Sequence, residues 1–272
     1  MTMLDVLGQK FEVEGDPDDD YFRHAHDQMR GFENLVAIAA QLGKDSVILD
    51  VGANIGLSTI AMAIAAPQAT IISLEPSPKN FEFLCRNVRQ FGTRIKTRQV
   101  AASNESGTLN LHLSRVGAWS HVVGAGHLEG HLPVVQVEAV RLDDLMGETR
   151  PAMIKIDVEG HEPEVISGAK RVIESTRPTV CMEFNSWTLN AYGGHSPAAF
   201  ASAIFKAFDV EGWSRHIDFL NRNLCVDKGL TDIVMRLRDG GSVPTLEEMS
   251  FSPAARAILD KLREEAGARS SG

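Results

Sequence analysis

The sequence predicts an α/β fold, a mostly parallel sheet with helices on both faces, and three stretches carry that reading. Val47 to Val51 is an apolar run that enters the glycine turn Gly52-Ala53-Asn54-Ile55-Gly56 and then the helical pattern Leu57 to Ala66. Thr70 to Leu74 is a second apolar strand followed by a helical pattern. Met153 to Val158 is a third, ending in the polar segment Asp157-Val158-Glu159-Gly160-His161-Glu162. Short apolar strands alternating with helical-period segments are the signature of parallel βαβ units.

Taken in order, residues 1–20 carry apolar patches around Leu4 and Phe11 and the acidic turn Asp16-Pro17-Asp18. A flap, a short strand pair and a partly disordered arm all fit them. From Phe22 to Leu42, apolar Phe32, Leu35, Val36, Ile38, Ala39 and Leu42 recur at helical spacing, with Gly43 as a stop. His24, His26 and Arg30 are expected as solvated positions on that helix. After Thr70 to Leu74 comes Glu75-Pro76-Ser77-Pro78, where Ser77 can cap a helix and Pro78 fits its first turn. That helix runs to about Phe91. A third strand near Lys96 to Val100 leads to Ala101-Ala102-Ser103-Asn104.

Residues 106–140 depart from the alternation. Leu109, Leu111 and Leu113 recur at period two and Val134 to Val140 is rich in Val, so an antiparallel insertion with a Gly-rich tip over 117–130 is expected. Trp119, His121 and His127 in that loop either gate an acceptor pocket or lie on a plain surface loop. Leu142 to Leu145 begins a short helix. The fourth strand, Met153 to Val158, precedes a helix over Glu162 to Glu174, and Thr179 to Glu183 is the fifth strand. Ser196 caps a helix with Pro197 at its first position. Two last strands, Asp209 to Trp213 or Leu224 to Val226 and then Thr231 to Leu237, follow with no helix between them. Pro253 to Glu265 reads as an amphipathic helix with Ala257, Ile258 and Leu262 on one face. The expected organisation is an N-terminal helical or flap segment over 1–45, a core domain over 46–240 with its insertion at 106–140, and a C-terminal helical tail over 241–272.

Composition excludes several classes. A formal charge of −9 and no basic run argue against nucleic acid or an anionic membrane surface. The longest apolar run, Ile60 to Ala66, stops at Pro67, far short of a membrane span. Three dispersed cysteines, Cys85, Cys181 and Cys225, match neither a disulfide framework nor zinc spacing. With an acidic start that lacks a secretory pattern, they predict free thiols and a cytoplasmic protein. Homo-oligomerisation is left open.

The glycine turn is a nucleotide-sized site, because Gly52 and Gly56 let a ligand approach the backbone and a helix N-terminus supplies N–H donors. A dinucleotide fingerprint needs G-x-G-x-x-G, but here Asn54 holds the middle position and Leu57 follows Gly56. Asp50, two residues before Gly52, repels pyrophosphate and suits an ammonium or sulfonium, both of which S-adenosylmethionine carries. Glu75, ending the next strand, can accept from both ribose hydroxyls. Ala101 and Ala102 leave room for a flat ring, and Ser103 or Asn104 can reach its amine.

Asp50-Val51-Gly52-Ala53-Asn54-Ile55-Gly56, Leu74-Glu75-Pro76-Ser77 and Ile154-Lys155-Ile156-Asp157-Val158-Glu159-Gly160-His161-Glu162 together resemble the FkbM family of S-adenosylmethionine-dependent methyltransferases. The resemblance covers about Val47 to Leu237. It implies a class I methyltransferase fold, Rossmann-like, with seven strands and an antiparallel end hairpin. It implies a cofactor site made by Asp50, Gly52, Ala53, Asn54, Gly56, Glu75, Pro76, Ala101, Ala102 and Asp157. It also implies O-methylation of a hydroxyl on a sugar, glycolipid or secondary metabolite, so that the partner is a small-molecule or glycan acceptor.

A hydroxyl acceptor must lose its proton as the new bond forms, which requires a base within hydrogen-bond reach. Asp157, Glu159 and His161 are the candidates. A divalent metal could do the same work, and Asp157, Glu159, Glu183 and Asn185 are oxygen ligands suited to magnesium or calcium, although their spacing is not diagnostic. Trp187, Tyr192, His195, Trp213 and His216 lie where acceptor-recognition segments usually sit, yet serve equally as packing. N-methylation of an amine, a non-catalytic cofactor-binding role and an NAD-dependent reductase are the rival functions, the last disfavoured by Asp50 and Leu57.

Overall fold

The computed structural model describes residues 1–114, 120–122, 133–227, 230–252, 254–255, 257–258 and 261, with the backbone alone for 230 and 231. The chain opens with an antiparallel hairpin, β1 (Thr2–Val6) and β2 (Gln9–Val13). Leu4, Val6, Phe11 and Val13 alternate with polar residues and are buried, as a half-buried strand pair requires. The one helix expected over Phe22 to Leu42 is three short ones, α1 (Asp20–Arg23), α2 (Ala25–Gly31) and α3 (Glu33–Ala39). The breaks fall at His24 and Phe32, where ψ values of 23° and 11° leave the helical range. Each bend keeps the apolar side on the core, so helical spacing persists through it.

Next come β3 (Val47–Val51), α4 (Leu57–Ala65), β4 (Thr70–Leu74), α5 (Pro78–Val88), a 3₁₀ turn (Arg89–Arg94) and β5 (Ile95–Arg98). The chain then leaves the main sheet. β6 (Ala101–Ala102), β7 (Gly107–His112), β8 (His121–Val122) and β9 (Val134–Val140) form a second sheet in the order β6-β9-β7-β8, with β7 antiparallel to β8 and β9. This is the expected insertion. Most of its tip, with Trp119 and His127, lies outside the described residues.

The remaining elements are α6 (Leu142–Met146), β10 (Pro151–Ile156), α7 (Glu162–Gly168), α8 (Lys170–Thr176), β11 (Thr179–Asn185), α9 (Ser186–Ala191), α10 (Pro197–Ala207), β12 (Phe208–Val210), α11 (His216–Cys225) and β13 (Leu230–Leu237). The main sheet has seven strands in the order β12-β13-β11-β10-β3-β4-β5. β11 through β5 are parallel, and β13 runs antiparallel to both neighbours. This is the class I methyltransferase fold.

Three expectations are corrected. The helix over Glu162 to Glu174 is split after Gly168, where a Cβ would lie 1.9 Å from the Ser103 carbonyl oxygen, so the chain passes too close to β6 to continue straight. A helix, α11, stands between the last two strands, and Leu224 and Cys225 end it rather than forming a strand. Its inward residues Phe219, Leu220 and Asn223 are spaced as a helix requires, but only two of them are apolar. Third, Ser77 precedes α5 without a side-chain cap bond; its own N–H is held by Glu75. Ser196 does cap α10 through Ala199 N. Most of the helix expected over Pro253 to Glu265 lies outside the described residues.

The main sheet divides the core by strand alternation. Leu49, Val51, Ile154 and Ile156 point to one side, against α7, α8 and α10. Ile48, Met153 and Cys181 point to the other, where the hairpin, α3 and α4 supply Leu4, Phe11, Leu35 and Ile60. The N-terminal residues therefore complete the core on the side of the glycine turn. Asn87 fastens them there: it is buried, accepts from Glu14 N at 2.8 Å, and donates to Glu14 O at 2.9 Å and Ile55 O at 2.8 Å. Asn87→Ala leaves these backbone groups unpaired and is expected to lower stability by about 2–3 kcal/mol, read as a fall in the urea midpoint at unchanged slope.

Candidate active site

A cleft opens at the carboxyl ends of β3, β4, β10 and β11, where open α/β sheets bind ligands. Its floor is the glycine turn. Gly52 has φ of 80°, and a Cβ there would sit 1.8 Å from the Asp157 carbonyl oxygen, so only glycine lets β3 and β10 approach. Gly52 N and Ala53 N both donate to Leu74 O, at 3.0 and 2.9 Å, which ties the turn to β4. Glu75 faces this turn. One carboxylate oxygen accepts from Asn54 N and the other from Ser77 N, both at 2.9 Å. Burial pushes its pKa up to about 7 despite those bonds. Each oxygen keeps a further lone-pair direction for a ligand hydroxyl. The side-chain oxygen of Asn54 is buried with no partner among the described residues.

Behind the floor lies an ionic group. Lys155 Nζ stands 3.6 Å from Asp50 Oδ1, 3.2 Å from Asp157 Oδ2 and 2.9 Å from Gly52 O. Burial opposes its charge, but the two carboxylates outweigh burial and hold the ammonium firmly protonated. Asp50 is fully buried, and its other oxygen accepts from Ser58 Oγ at 2.8 Å and Thr59 Oγ1 at 2.6 Å. Asp50, expected to face a ligand ammonium, is thus turned into the fold rather than toward the open cleft. Its cation is Lys155, and its hydroxyl partners come from the first turn of α4.

At the end of β10 the acids converge. Oxygens of Asp157, Glu159 and Glu183 all lie within 4.8 Å of one another. Burial, then the charge of Asp157, drives the pKa values of Glu159 and Glu183 well above the usual carboxylate range. Such a set either shares protons or fits one hard divalent cation. Asn185 does not complete it as an oxygen ligand, because its Oδ1 accepts from Trp187 N and Thr188 N to cap α9. Glu162 is fully buried beneath the loop, with one oxygen accepting from Val158 N and Gly160 N, and burial pushes it up to about 7.

His161 joins a different chain of contacts. Its Nε2 lies 2.9 Å from Ser103 Oγ and its Nδ1 3.4 Å from Glu164 Oε2. Glu164 is held in turn by His195 Nε2 at 2.9 Å, and His195 Nδ1 meets Ser250 Oγ at 2.9 Å. Burial lowers the His161 pKa, so the ring is neutral at pH 7.

Comparison with known proteins follows the same ground. Residues 50–219 match the family described as the Methyltransferase FkbM domain, more than half of the chain. The chain belongs to the FkbM methyltransferase family. It is 30% identical over 150 residues to the hexuronic acid methyltransferase AglP of Haloferax volcanii, covering 54% of this chain and 60% of that protein. It is 28% identical over 182 residues to the 2-O-methyltransferase NoeI of Sinorhizobium fredii, covering 61% and 73%. The chain spans 60%, 58% and 62% of the length of three such relatives. Among solved structures, magnesium protoporphyrin IX methyltransferase from Synechocystis PCC 6803 aligns over 84% of this chain and 86% of its own, at 12% identity and a TM-score of 0.43.

Within this FkbM-family domain, Gly52, Asn54, Glu75, Pro76, Ala101, Ala102, Asp157, Glu159 and His161 line the cleft, whereas Asp50, Ala53 and Gly56 stand behind it. Gly56 instead packs on Leu84, at a φ of 95° that only glycine adopts freely. His195 is buried away from the cleft, and Trp213 packs on Phe219. His121 of the insertion stacks on Tyr192 at 3.5 Å, closing one wall. Sequence reasoning missed Tyr21, Gln28 and Phe32, which line the cleft from α1, α2 and the α2–α3 junction, outside the family match. Only Phe32 carried a sequence signal, as part of the apolar spacing.

Gly52→Ala is expected to cost about 2–4 kcal/mol in stability and to weaken nucleoside binding, measured by thermal shift and titration. Glu162 supplies a pH test. Its folded value, about 7, exceeds its ordinary 4.5, so its contribution is fully present below about pH 4.5 and lost as pH rises through 7. Glu162→Gln removes that dependence; relative to the unmodified protein it should gain about 1–3 kcal/mol at pH 8, with the gain vanishing at pH 4.

Proposed function

We propose that this chain transfers a methyl group from S-adenosylmethionine to a hydroxyl of a sugar or similar polyol. The observation that carries the reading is one cleft with Glu75 at one end, keeping lone pairs for a vicinal diol, and the Asp157, Glu159 and Glu183 cluster at the other. The residues present fit the cofactor. Glu75 would accept from the ribose hydroxyls, Ala101 and Ala102 would leave a flat space for adenine, and the glycine turn would admit the cofactor against the backbone. When bound, the cofactor supplies an activated methyl carbon attached to sulfonium. The similarity to AglP, a hexuronic acid methyltransferase, and to NoeI, a 2-O-methyltransferase, supports a sugar acceptor and an oxygen as the methylated atom.

The proton of the acceptor hydroxyl goes to Glu159 or Asp157. A carboxylate whose proton affinity is raised by burial is a stronger base than an ordinary one. Asp157 is anchored by the Lys155 ammonium, 3.2 Å away, which fixes its carboxylate beside the reacting centre. His161 is the weaker candidate, since both ring nitrogens already face Ser103 and Glu164. A cytoplasmic site of action is supported by the unpaired thiols of Cys85, Cys181 and Cys225. Among the described residues no helix is long and apolar enough to cross a membrane.

The test is incubation with methyl-labelled S-adenosylmethionine and fractionated cell extract, with Glu159→Gln and Asp157→Asn as controls. Label is expected in a glycan or small-molecule fraction, with rates reduced about 10²–10⁴-fold in Glu159→Gln. Label in peptide would favour N-methylation. Transfer is expected to persist in excess chelator; loss restored by magnesium would instead assign the acid cluster to a bound cation.

A further inference from the structure

A second cavity adjoins the cofactor cleft, between α2, α3 and the sheet. Gln28, Phe32, Asp157 and Glu183 line both, so the two meet at those side chains. The nucleoside half of the cofactor, on the proposed reading, occupies the span from Glu75 to Ala102. The second chamber is the space that remains beside the reactive acids.

Its chemistry is one-sided. Asp157 and Glu183 stand at the junction, and Asp232, paired with Glu183 in the strand register, is exposed farther out. Among the described residues the lining contains one basic residue, Lys155, already engaged by Asp157, Asp50 and the Gly52 carbonyl. Glu183 Oε2 is shielded from solvent and has no hydrogen-bond partner among the described residues, so it awaits a donor. Gln28 and Asn34 add amide groups, and Phe32 adds an aromatic ring suited to the C–H face of a sugar.

We propose that this chamber is the acceptor site and that it selects a neutral or amino-bearing sugar, excluding sugars that carry a carboxylate or phosphate near the reacting hydroxyl. The inference rests on the methyl-transfer reading and deepens it. An ammonium group adds a positive charge beside Asp157 and Asp232, and a neutral polyol exchanges hydrogen bonds with Glu183 without adding charge. A carboxylate meets like charge with no free basic side chain among the described residues of the lining to receive it, and like-charge juxtaposition is how sites reject a wrong partner. This separates the chain from AglP, a hexuronic acid methyltransferase.

The experiment uses the full chain with S-adenosylmethionine and three acceptors matched in ring and anomer: a methyl hexopyranoside, its 2-amino-2-deoxy analogue and its uronate. Methyl transfer is followed by release of S-adenosylhomocysteine, and cofactor binding is measured separately by calorimetry. The amino and neutral sugars should exceed the uronate in kcat/KM by at least about tenfold. Asp232→Asn should narrow that ratio and Asp232→Lys should narrow it further or reverse it, both at an exposed position that leaves the core intact. Glu183→Gln should lower the preference for the amino sugar over the neutral one. Equal or better use of the uronate overturns the proposal, as does a ratio unmoved by Asp232→Lys. Cofactor binding with no transfer to any of the three also overturns it while leaving the cofactor site standing. Absence of cofactor binding would overturn the methyl-transfer reading itself.

Discussion

One ammonium group ties the site together. Lys155 Nζ reaches a carboxylate behind the glycine turn, a carboxylate at the cleft and the carbonyl of Gly52. A buried charge is tolerable only when paired and hydrogen-bonded, so the position of each member is dictated by the others. Asp50 is additionally gripped by Ser58 and Thr59 at the start of α4, so the same group orients the helix that follows the turn. Lys155 and Asp50 face one another in the register of β10 and β3, which places the contact at the middle of the sheet.

This group belongs to a polar stripe that alternation creates. Asp50, Lys155, Asp157, Glu183 and Asp232 occupy alternating or register-paired positions on the face that also carries Ile48, Met153 and Cys181. Toward the amino ends of the strands that face is apolar and covered by α4 and the N-terminal helices. Toward the carboxyl ends it becomes acidic, and the covering helices leave room above it. The transition from packing to chemistry thus happens along single strands, within a few residues.

Much of the site was legible because motif and geometry coincide locally. The glycine turn, Glu75 at the end of the second strand and the acids after the fourth are each fixed within a few residues of chain, and the strand ends Leu74 and Asn185 fall close to where apolar patterning stops. Asp50 turns inward from the glycine turn, away from the open cleft. Nothing local distinguishes a carboxylate facing a ligand from one facing a lysine more than a hundred residues away. The side chains of Asn185 and His161 likewise answer to partners that their spacing did not name, Trp187, Ser103 and Glu164. Helix breaks at His24, Phe32 and Gly168 were invisible because inward spacing survives a bend, and the helix between the last strands was missed because its apolar face is short.

The sequence by itself determined the strand order's raw material: apolar strands of period two, helical segments between them, a glycine turn that tolerates positive φ, and acids at strand ends. These follow from steric and hydrophobic rules that act within a few residues. Tertiary structure decided which of those acids face a ligand, which are neutralised inside, and that α1 to α3 roof the cleft with Tyr21, Gln28 and Phe32. The physical reason is that electrostatic pairing and cavity shape depend on distances across the sheet, set by strand register and by how separate helices settle on its face. Neither quantity is encoded in the spacing of neighbouring residues.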